Sequence, residues 1–185
     1  MDDKYDLSQY KEVKEHRLKR IVWAIVNATL FKWLYGLRLH GIRNVLLRMF
    51  GGQVPYHTLV YSSVRIYAPW NLKVGLYSCI GPNVEIYNKA VVSIGDHVVV
   101  SQDAYICTAS HDISSSVMSL VTKPVTIESK SWIAAKAIIL PGVTVAEGAV
   151  VGCAAVVTRD VESRSVVAGN PAREVKKRYI LVERD

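Results

Sequence analysis

Cysteine is scarce in this sequence, and its spacing carries no pattern. The 185 residues include three cysteines, Cys79, Cys107 and Cys153, which lie too far apart for a metal-binding cluster or a disulfide framework. The five histidines are equally dispersed, so a zinc site is not expected. These absences favour a protein of a reducing compartment that requires no metal.

Long hydrophobic runs are also absent. The chain begins with Met-Asp-Asp and a polar stretch, unlike a secretory signal. Its most apolar stretch, 21–39, contains Asn27, Lys32, Gly36 and Arg38, whereas a transmembrane helix needs about twenty largely uncharged residues. We therefore expect a cytoplasmic protein, with contact at the inner face of the cytoplasmic membrane as an open alternative.

Acidic residues are fewer than basic ones, 16 against 23, which gives a formal net charge of +7. Such a charge suits nucleic acid, anionic cofactors or membrane headgroups. The basic residues gather at the two ends of the chain, and no CxxC pair or helix-turn-helix accompanies them. We therefore predict no nucleic-acid partner.

Residues 11–50 contain no proline and show helical spacing. The apolar positions that recur at this spacing are Leu18, Val22, Ile25, Val26 and Leu30. Gly36 and Gly41 are predicted to interrupt the helices, and Gly51-Gly52 to end the region.

Two interpretations of these helices stay open. In one, they pack on the rest of the protein or on a neighbouring subunit. In the other, they lie at a membrane surface with basic side chains towards headgroups and aromatic side chains towards lipid. The aromatic candidates are Trp23, Phe31, Trp33 and Tyr35.

From about residue 58 a period of six replaces the helical spacing. The aliphatic positions are Val74, Ile80 and Ile86, then Ile94, Val100 and Ile106, then Ile127, Ile133, Ile139, Val145, Val151 and Val157. Neither a helix nor a simple alternating strand has this period. Short strands joined by turns do, with three hexads to a triangular coil and the aliphatic side chains stacked inside. Two-residue slips before Val74 and Ile94 predict small bulges in the stack.

The repeat is interrupted once at length, between Ile106 and Ile127, and the break contains Ser110-His111-Asp112. Long departures from a regular repeat tend to be functional loops, so we predict His111 to be the functional residue of an excursion over 107–126. Adjacent side chains diverge, which excludes a triad made of residues 110–112. A thiol nucleophile at Cys107, paired with His111, is an alternative.

Short motifs accompany the repeat. They are Leu46-Leu47-Arg48-Met49-Phe50-Gly51, Pro69-Trp70-Asn71-Leu72, Ile86-Tyr87-Asn88, Val100-Ser101-Gln102, Ser110-His111-Asp112, Pro141-Gly142-Val143 and Ala168-Gly169-Asn170-Pro171-Ala172. Together they resemble the hexapeptide-repeat acyltransferases, and within them the exopolysaccharide O-acetyltransferases of the colanic-acid type.

The resemblance implies an all-β fold, a left-handed parallel β-helix. It would comprise an N-terminal helical segment at 1–57, the catalytic β-helix at 58–168 and a C-terminal tail at 169–185. It also implies a homotrimer with its sites between subunits, and acetyl-CoA as co-substrate with no metal. The predicted activity is acetyl transfer to a saccharide hydroxyl in exopolysaccharide biosynthesis. N-acylation of an amino sugar or nucleotide sugar, and a non-catalytic scaffold, are the alternatives.

The resemblance also assigns roles to residues. His111 would be the general base that takes the proton of the acceptor hydroxyl. The backbone N–H of Ala135 would stabilise the oxyanion, and Trp132 would either contact the acyl-CoA arm or pack between coils. The backbone of Cys153 and Ala154 would bind pantetheine.

Basic residues near the C-terminus match positions that contact the CoA phosphates in the family. They are Arg159, Arg173 and Lys176, each of which could instead be a solvated surface residue.

The acceptor side departs from the family's pattern. Well-known sugar acetyltransferases orient the acceptor with an Asn and an Asp below the histidine, and Gly81 and Lys89 stand at those positions here. Asn83 and Asn88 lie close by in the sequence, and we predict that they contact the saccharide. The acceptor therefore need not be a free simple sugar.

Overall fold

The computed structural model describes residues 6–10, 16–34 and 39–179. Within them, a parallel β-helix follows a short helical segment. The helices are Arg17–Ala28 (α1), Leu30–Trp33 (α2) and His40–Met49 (α3), with 3₁₀ turns at Leu7–Gln9 and Pro69–Asn71. The predicted helical positions 11–15, and the positions of Tyr35, Gly36 and Arg38, lie outside the described residues.

Three sheets form the walls of the β-helix. Sheet I contains Leu59–Val60 (β1), Cys79–Ile80 (β4), Val99–Val100 (β7), Trp132–Ile133 (β12), Val150–Val151 (β15), Ser165–Ala168 (β17) and Arg173–Lys177 (β18). Sheet II contains Arg65–Ile66 (β2), Glu85–Tyr87 (β5), Tyr105–Cys107 (β8), Ile138–Ile139 (β13) and Val156–Val157 (β16). Sheet III contains Leu72–Val74 (β3), Val92–Ile94 (β6), Val125–Ile127 (β11) and Thr144–Val145 (β14). A separate hairpin joins Ala109–His111 (β9) to Leu120–Thr122 (β10).

The aliphatic residues of the hexad repeat form the core of this solenoid, which confirms the predicted architecture. None of the twelve is more than 6% exposed. Parallel pairing places Ile80 beside Val100 and Val100 beside Ile133, so that equivalent side chains stack from coil to coil. Removing this apolar surface from water is the main stabilising contribution that the sequence offers.

The coils are not uniform in length. Val60 pairs with Ile80 and Ile80 with Val100, a spacing of 20 residues, whereas Ile133 and Val151 are 18 residues apart. The extra residues of the longer coils lie between sheets II and III, at the same corner from which the β9–β10 hairpin leaves. We call this edge the II–III corner, and the edge between sheets I and II the I–II corner.

Helix α3 closes the N-terminal end of the solenoid. The guanidinium of the buried Arg43 donates to the carbonyl oxygens of Val60 (2.8 Å) and Leu34 (3.1 Å). The amide of the buried Asn44 donates to the carbonyls of Pro55 and Thr58, each at 2.8 Å. These side chains satisfy carbonyl groups at the open end of the solenoid and, at Leu34, after the end of α2.

Gly41 is not the helix break that the sequence predicted. It lies inside α3, and an added Cβ there would overlap the ring of Tyr56, so glycine permits close packing. The predicted end at Gly51-Gly52 is confirmed. Gly51 has φ 92°, and Gly51 and Gly52 donate to the carbonyls of Arg48 and Leu47 in a Schellman arrangement.

Aromatic side chains attach α1 and α2 to the solenoid, as expected if the helices pack on the rest of the protein. Trp23 and Phe31 are buried, and the indole Nε1–H of Trp23 donates to the carbonyl of Ile66 at 2.6 Å. The rings of Trp23 and Phe50 lie 5.1 Å apart. Trp23 and Phe31 are therefore core residues, and of the described aromatic candidates Trp33 alone is exposed.

Most of the predicted apolar stripe faces away from the solenoid. Leu18, Val22, Ile25 and Leu30 are exposed, whereas Val26, the fifth position, packs against the core. None of the helices within residues 6–10, 16–34 and 39–179 is long and apolar enough to cross a bilayer.

Neighbouring valines of β7 offer a test of the stacked core, because Val100 is fully buried and Val99 is 44% exposed. We expect Val100→Ala to lower the free energy of unfolding by about 2 kcal/mol, from lost burial and the remaining cavity. Val99→Ala should lower it by less than about 1 kcal/mol. Urea denaturation at one fixed protein concentration measures both, and equal losses would contradict the assigned direction of the strand.

Candidate active site

The interruption of the repeat is an antiparallel hairpin that leaves the II–III corner. His111 pairs with Leu120 across it. At its base, the N–H of Lys123 donates to the carbonyl of Thr108 at 2.9 Å, and the hydroxyl of the buried Thr108 donates to the carbonyl of Tyr87 at 3.1 Å. The hairpin is therefore held rigidly on the coil beneath it.

His111 is exposed and has a defined orientation. Its Nδ1 lies 2.6 Å from the carbonyl oxygen of Met118. Since a carbonyl can only accept, this Nδ1 must carry a hydrogen, and the neutral ring then has its free lone pair on Nε2. Met118 adopts a left-handed conformation, φ 51°, and its N–H donates to the carbonyl of Ser115 at 3.0 Å. A tight turn thus orients the imidazole without a carboxylate.

Asp112 serves the hairpin rather than the imidazole. Its Oδ1 accepts from the backbone N–H (2.9 Å) and the hydroxyl (2.6 Å) of Ser114. These bonds hold the pKa of the Asp112 carboxyl below its usual value, so it is ionised near neutral pH. This geometry agrees with the expectation that residues 110–112 form no triad.

Cys107 is poorly placed as a nucleophile. It is buried at the base of the hairpin, and its thiol donates to the carbonyl of Ala109 at 3.1 Å. A nucleophilic cysteine needs an accessible thiolate. The structure therefore gives no support to the alternative of a Cys107–His111 pair.

The N-terminal segment reaches the same hairpin, a contact that no sequence pattern predicted. The N–H of Asp6 donates to the carbonyl of Ser116 at 3.0 Å, and the ring centroid of Tyr10 lies 6.0 Å from that of His111. A single tyrosine outside any periodic pattern carries no signal of such a contact.

A cleft of about 540 Å³ lies between this segment, α1 and the II–III corner. The 3₁₀ turn Pro69–Asn71 of the first coil and Lys89 of the second form its floor, and hairpin residues close one side. Its described lining residues are Gln9, Tyr10, His16, Arg20, Tyr67, Ala68, Trp70, Asn71, Lys89, Val117, Ser119, Leu120 and Thr122.

The predicted oxyanion and pantetheine residues lie together at the I–II corner. The N–H of Ala154 donates to the carbonyl of Ala135 at 2.9 Å, and the exposed Cys153 is adjacent. The N–H of Ala135 has no acceptor among the described residues, so it is available to a ligand. Trp132 precedes this corner on β12, half-exposed, and its indole N–H donates to the hydroxyl of Ser101 at 2.9 Å.

The predicted phosphate contacts do not converge within one chain. Arg159 follows β16 at the II–III corner, whereas Arg173 and Lys176 belong to β18 at the edge of sheet I. All three are exposed. Sheet II likewise separates His111 from Ala135, Cys153 and Ala154. A single protomer therefore does not bring the histidine and the predicted cofactor residues into one site.

The two predicted acceptor residues have different environments. Asn83 is exposed at the I–II corner with φ 57°, at the opposite edge of sheet II from His111. Asn88 is fully buried, and its amide both accepts from the N–H of Ala68 (2.9 Å) and donates to its carbonyl (2.7 Å). The structure corrects the expectation for Asn88, whose side chain shapes the II–III corner instead of meeting solvent.

Within the described residues, histidine, cysteine and acidic side chains do not cluster in a group of three or more that could hold a metal ion.

Comparison with known proteins identifies relatives of this architecture, although no family model matches the chain. The chain is 36% identical over 177 residues to WcaF of Escherichia coli K12, assigned by name as a colanic acid biosynthesis acetyltransferase. This match covers 94% of the chain and 97% of WcaF.

Solved structures give the same result. The hexapeptide-repeat acetyltransferase VCA0836 of Vibrio cholerae superposes with a TM-score of 0.80 at 25% identity, over 89% of this chain and 93% of its own. The maltose O-acetyltransferase of Clostridium difficile 630 superposes with a TM-score of 0.79 at 27% identity, over 89% of each chain. These matches confirm the resemblance drawn from the repeat and its motifs. The chain belongs to the hexapeptide-repeat acetyltransferase family.

Proposed function

We propose that this protein transfers the acetyl group of acetyl-CoA to a hydroxyl of a saccharide in exopolysaccharide biosynthesis, with His111 as the general base. The observation that carries the proposal is the bond from His111 Nδ1–H to the carbonyl of Met118, which leaves Nε2 free to accept a proton. The similarity to WcaF over nearly the whole chain supports the saccharide acceptor.

The reaction needs no covalent enzyme intermediate. Nε2 of His111 accepts the proton of the acceptor hydroxyl as its oxygen attacks the thioester carbonyl. The bond from the carbonyl carbon to sulfur then breaks, and the imidazolium returns the proton to the leaving thiolate. The carbonyl of Met118 stabilises the imidazolium because Nδ1 keeps its hydrogen bond throughout.

The I–II corner suits the thioester. The unpaired N–H of Ala135 can donate to the developing oxyanion, and the small side chain permits close approach of the acyl group. The exposed Cys153 and Ala154 continue the same edge and offer backbone groups to the pantetheine. The half-exposed Trp132 provides an apolar surface beside them, while Arg173 and Lys176 supply positive charge for phosphates.

Substitution of the histidine tests the chemistry. We expect His111→Ala to lower kcat by about 10²–10⁴, the usual share of general acid–base catalysis, with the affinity for CoA unchanged. Turnover is measured with labelled acetyl-CoA and a panel of hydroxyl and amino sugars, free and lipid-linked. His97→Ala is the matched control, because His97 is an exposed histidine, stacked on Tyr77. Undiminished turnover by His111→Ala would contradict the proposal, and acetylation of amino sugars alone would favour N-acyl transfer.

The division of the site across sheet II supports a homotrimer with sites between subunits. The histidine of one protomer would face the I–II corner of its neighbour, so that each site draws on two chains.

Co-expression of two inactive variants tests this arrangement. His111→Ala removes the base, and Cys153→Trp blocks the cofactor edge at an exposed position. With random mixing, sites shared between subunits should recover about one quarter of the wild-type activity, because one site in four receives both intact parts. Each variant expressed alone is the control. No recovery from mixed oligomers of confirmed composition would place the whole site within one chain.

The exposed face of α1 supports contact with the cytoplasmic face of the membrane. Val22, Ile25 and the nearby Trp33 are exposed, and Arg17 and Lys19 flank them on the same helix. An amphipathic helix of this kind buries its apolar side chains at the headgroup boundary.

Vesicle flotation tests the membrane contact. We expect Ile25→Glu to reduce binding to vesicles containing phosphatidylglycerol by roughly tenfold, because it removes one buried aliphatic side chain and adds a negative charge. Val175→Glu is the matched control, since Val175 is 62% exposed and Ile25 is 61% exposed. Equal flotation of both variants and the wild type would contradict the proposed membrane contact.

A further inference from the structure

Three clefts on the outer side of sheet II join into one groove. The cleft beside the hairpin shares Arg20 and Tyr67 with a second cleft of about 650 Å³ beneath α1. The second shares Lys32, Arg65 and Glu85 with a third of about 470 Å³. The groove therefore runs from Leu120, which pairs with His111 across the hairpin, over sheet II to Asn83 at the I–II corner. Its length suits an extended molecule better than a single sugar.

Arg20 stands where the first two clefts meet, and its charge is not neutralised by a described carboxylate. The residue is half-buried, and its guanidinium carbon lies 4.3 Å from the centroid of the Tyr67 ring. Among the described residues, no side chain or carbonyl accepts a hydrogen bond from the guanidinium of Arg20. A partly desolvated guanidinium has five donors in a planar fork, which match a carboxylate or a phosphate.

The rest of the groove is also predominantly basic. Arg17, Lys32 and Arg65 line the second cleft together with Glu85, and the third cleft adds one further carboxylate, that of Asp103. Glu85 forms an ion pair with Arg65, so its charge is largely offset. The groove thus presents an excess of positive charge beside the edge-to-face rings of Tyr67 and Tyr87, 4.9 Å apart, whose surfaces suit the apolar faces of sugars.

We propose that this groove binds an extended, negatively charged saccharide as the acceptor, with Arg20 pairing to a carboxylate or phosphate of the chain. The inference rests on the proposed acetyl transfer and specifies its substrate class. The anion at Arg20 fixes the register of the saccharide, and a hydroxyl on a neighbouring residue then reaches His111. An uncharged oligosaccharide of the same length would lack this fixed point.

The test compares acceptors that differ in charge alone. The probes are a uronate-containing tetrasaccharide, the same compound after reduction of its carboxyl groups, and the reduced compound carrying a terminal diphosphate. Acetylation is followed with labelled acetyl-CoA, and binding by calorimetry. We expect at least one anionic probe to exceed the neutral one by about tenfold or more in kcat/KM. The carboxylate and diphosphate arms then distinguish the two sources of charge.

Substitution of Arg20 tests whether this residue causes the preference for anionic probes. For the preferred anionic probe, Arg20→Gln should lower kcat/KM by about 10- to 100-fold, mainly through KM, because a ground-state contact is lost. For the neutral probe the change should stay within about twofold. Arg20→Lys should recover part of the loss, since it restores the charge without the planar fork. Lys73→Gln removes the same charge from the exposed face of sheet III, outside the groove lining, and is the matched control.

Two outcomes would overturn the inference. One is an equal kcat/KM of the wild type for the charged and neutral probes. Absence of turnover with every probe counts as the same outcome. The other is an anion preference that survives in Arg20→Gln while its unfolding curve matches that of the wild type. Both outcomes are separate from the proposed function, which depends on acetyl transfer to any saccharide hydroxyl and on its loss in His111→Ala.

Discussion

The stacking of aliphatic side chains in register is the constraint on which the rest of the structure depends. Ile80, Val100 and Ile133 lie over one another in successive coils, and a slip of one residue within a strand would turn such side chains outward. Additional residues can therefore enter the chain only where strands end. In this protein they enter at the II–III corner, as a 3₁₀ turn in the first coil and a hairpin in the third.

The candidate site is a consequence of this rule. Because the insertions share one corner, they stack in the same way as the strands do and enclose a cleft without disturbing the core. The clamp between Asn88 and the backbone of Ala68 holds the middle layer in place. Helix α1 then covers the outer side, fixed by the buried indole of Trp23. Rigid elements thus support the hairpin that carries the imidazole, as preorganised catalysis requires.

The sequence predicted those features that follow from a period and from its interruption. Twelve aliphatic positions in phase were enough for the solenoid, and the break singled out His111. Contacts made by residues outside the repeat could not be predicted from the sequence. Tyr10 and Arg20 lie near the site because of the path of the N-terminal chain, and residue spacing does not predict that path. The apolar stripe of α1 identified the helix but not its main buried contact, because Trp23 buries more surface than a stripe residue. The burial of Asn88 could not be predicted either, because it depends on a backbone partner in another coil.

In the proposed trimer, acceptor and donor would reach the reaction from different chains. The groove lies on sheet II, with His111 at one edge and the free N–H of Ala135 at the other. A saccharide along the groove would have its reacting hydroxyl at the histidine of its own protomer, whereas the nearest oxyanion donor of that protomer lies across the whole sheet. The corner of an adjacent protomer would supply that donor. Two fixed backbone features, the carbonyl of Met118 and the N–H of Ala135, would then meet only after assembly, so that the isolated chain keeps its reactive groups apart.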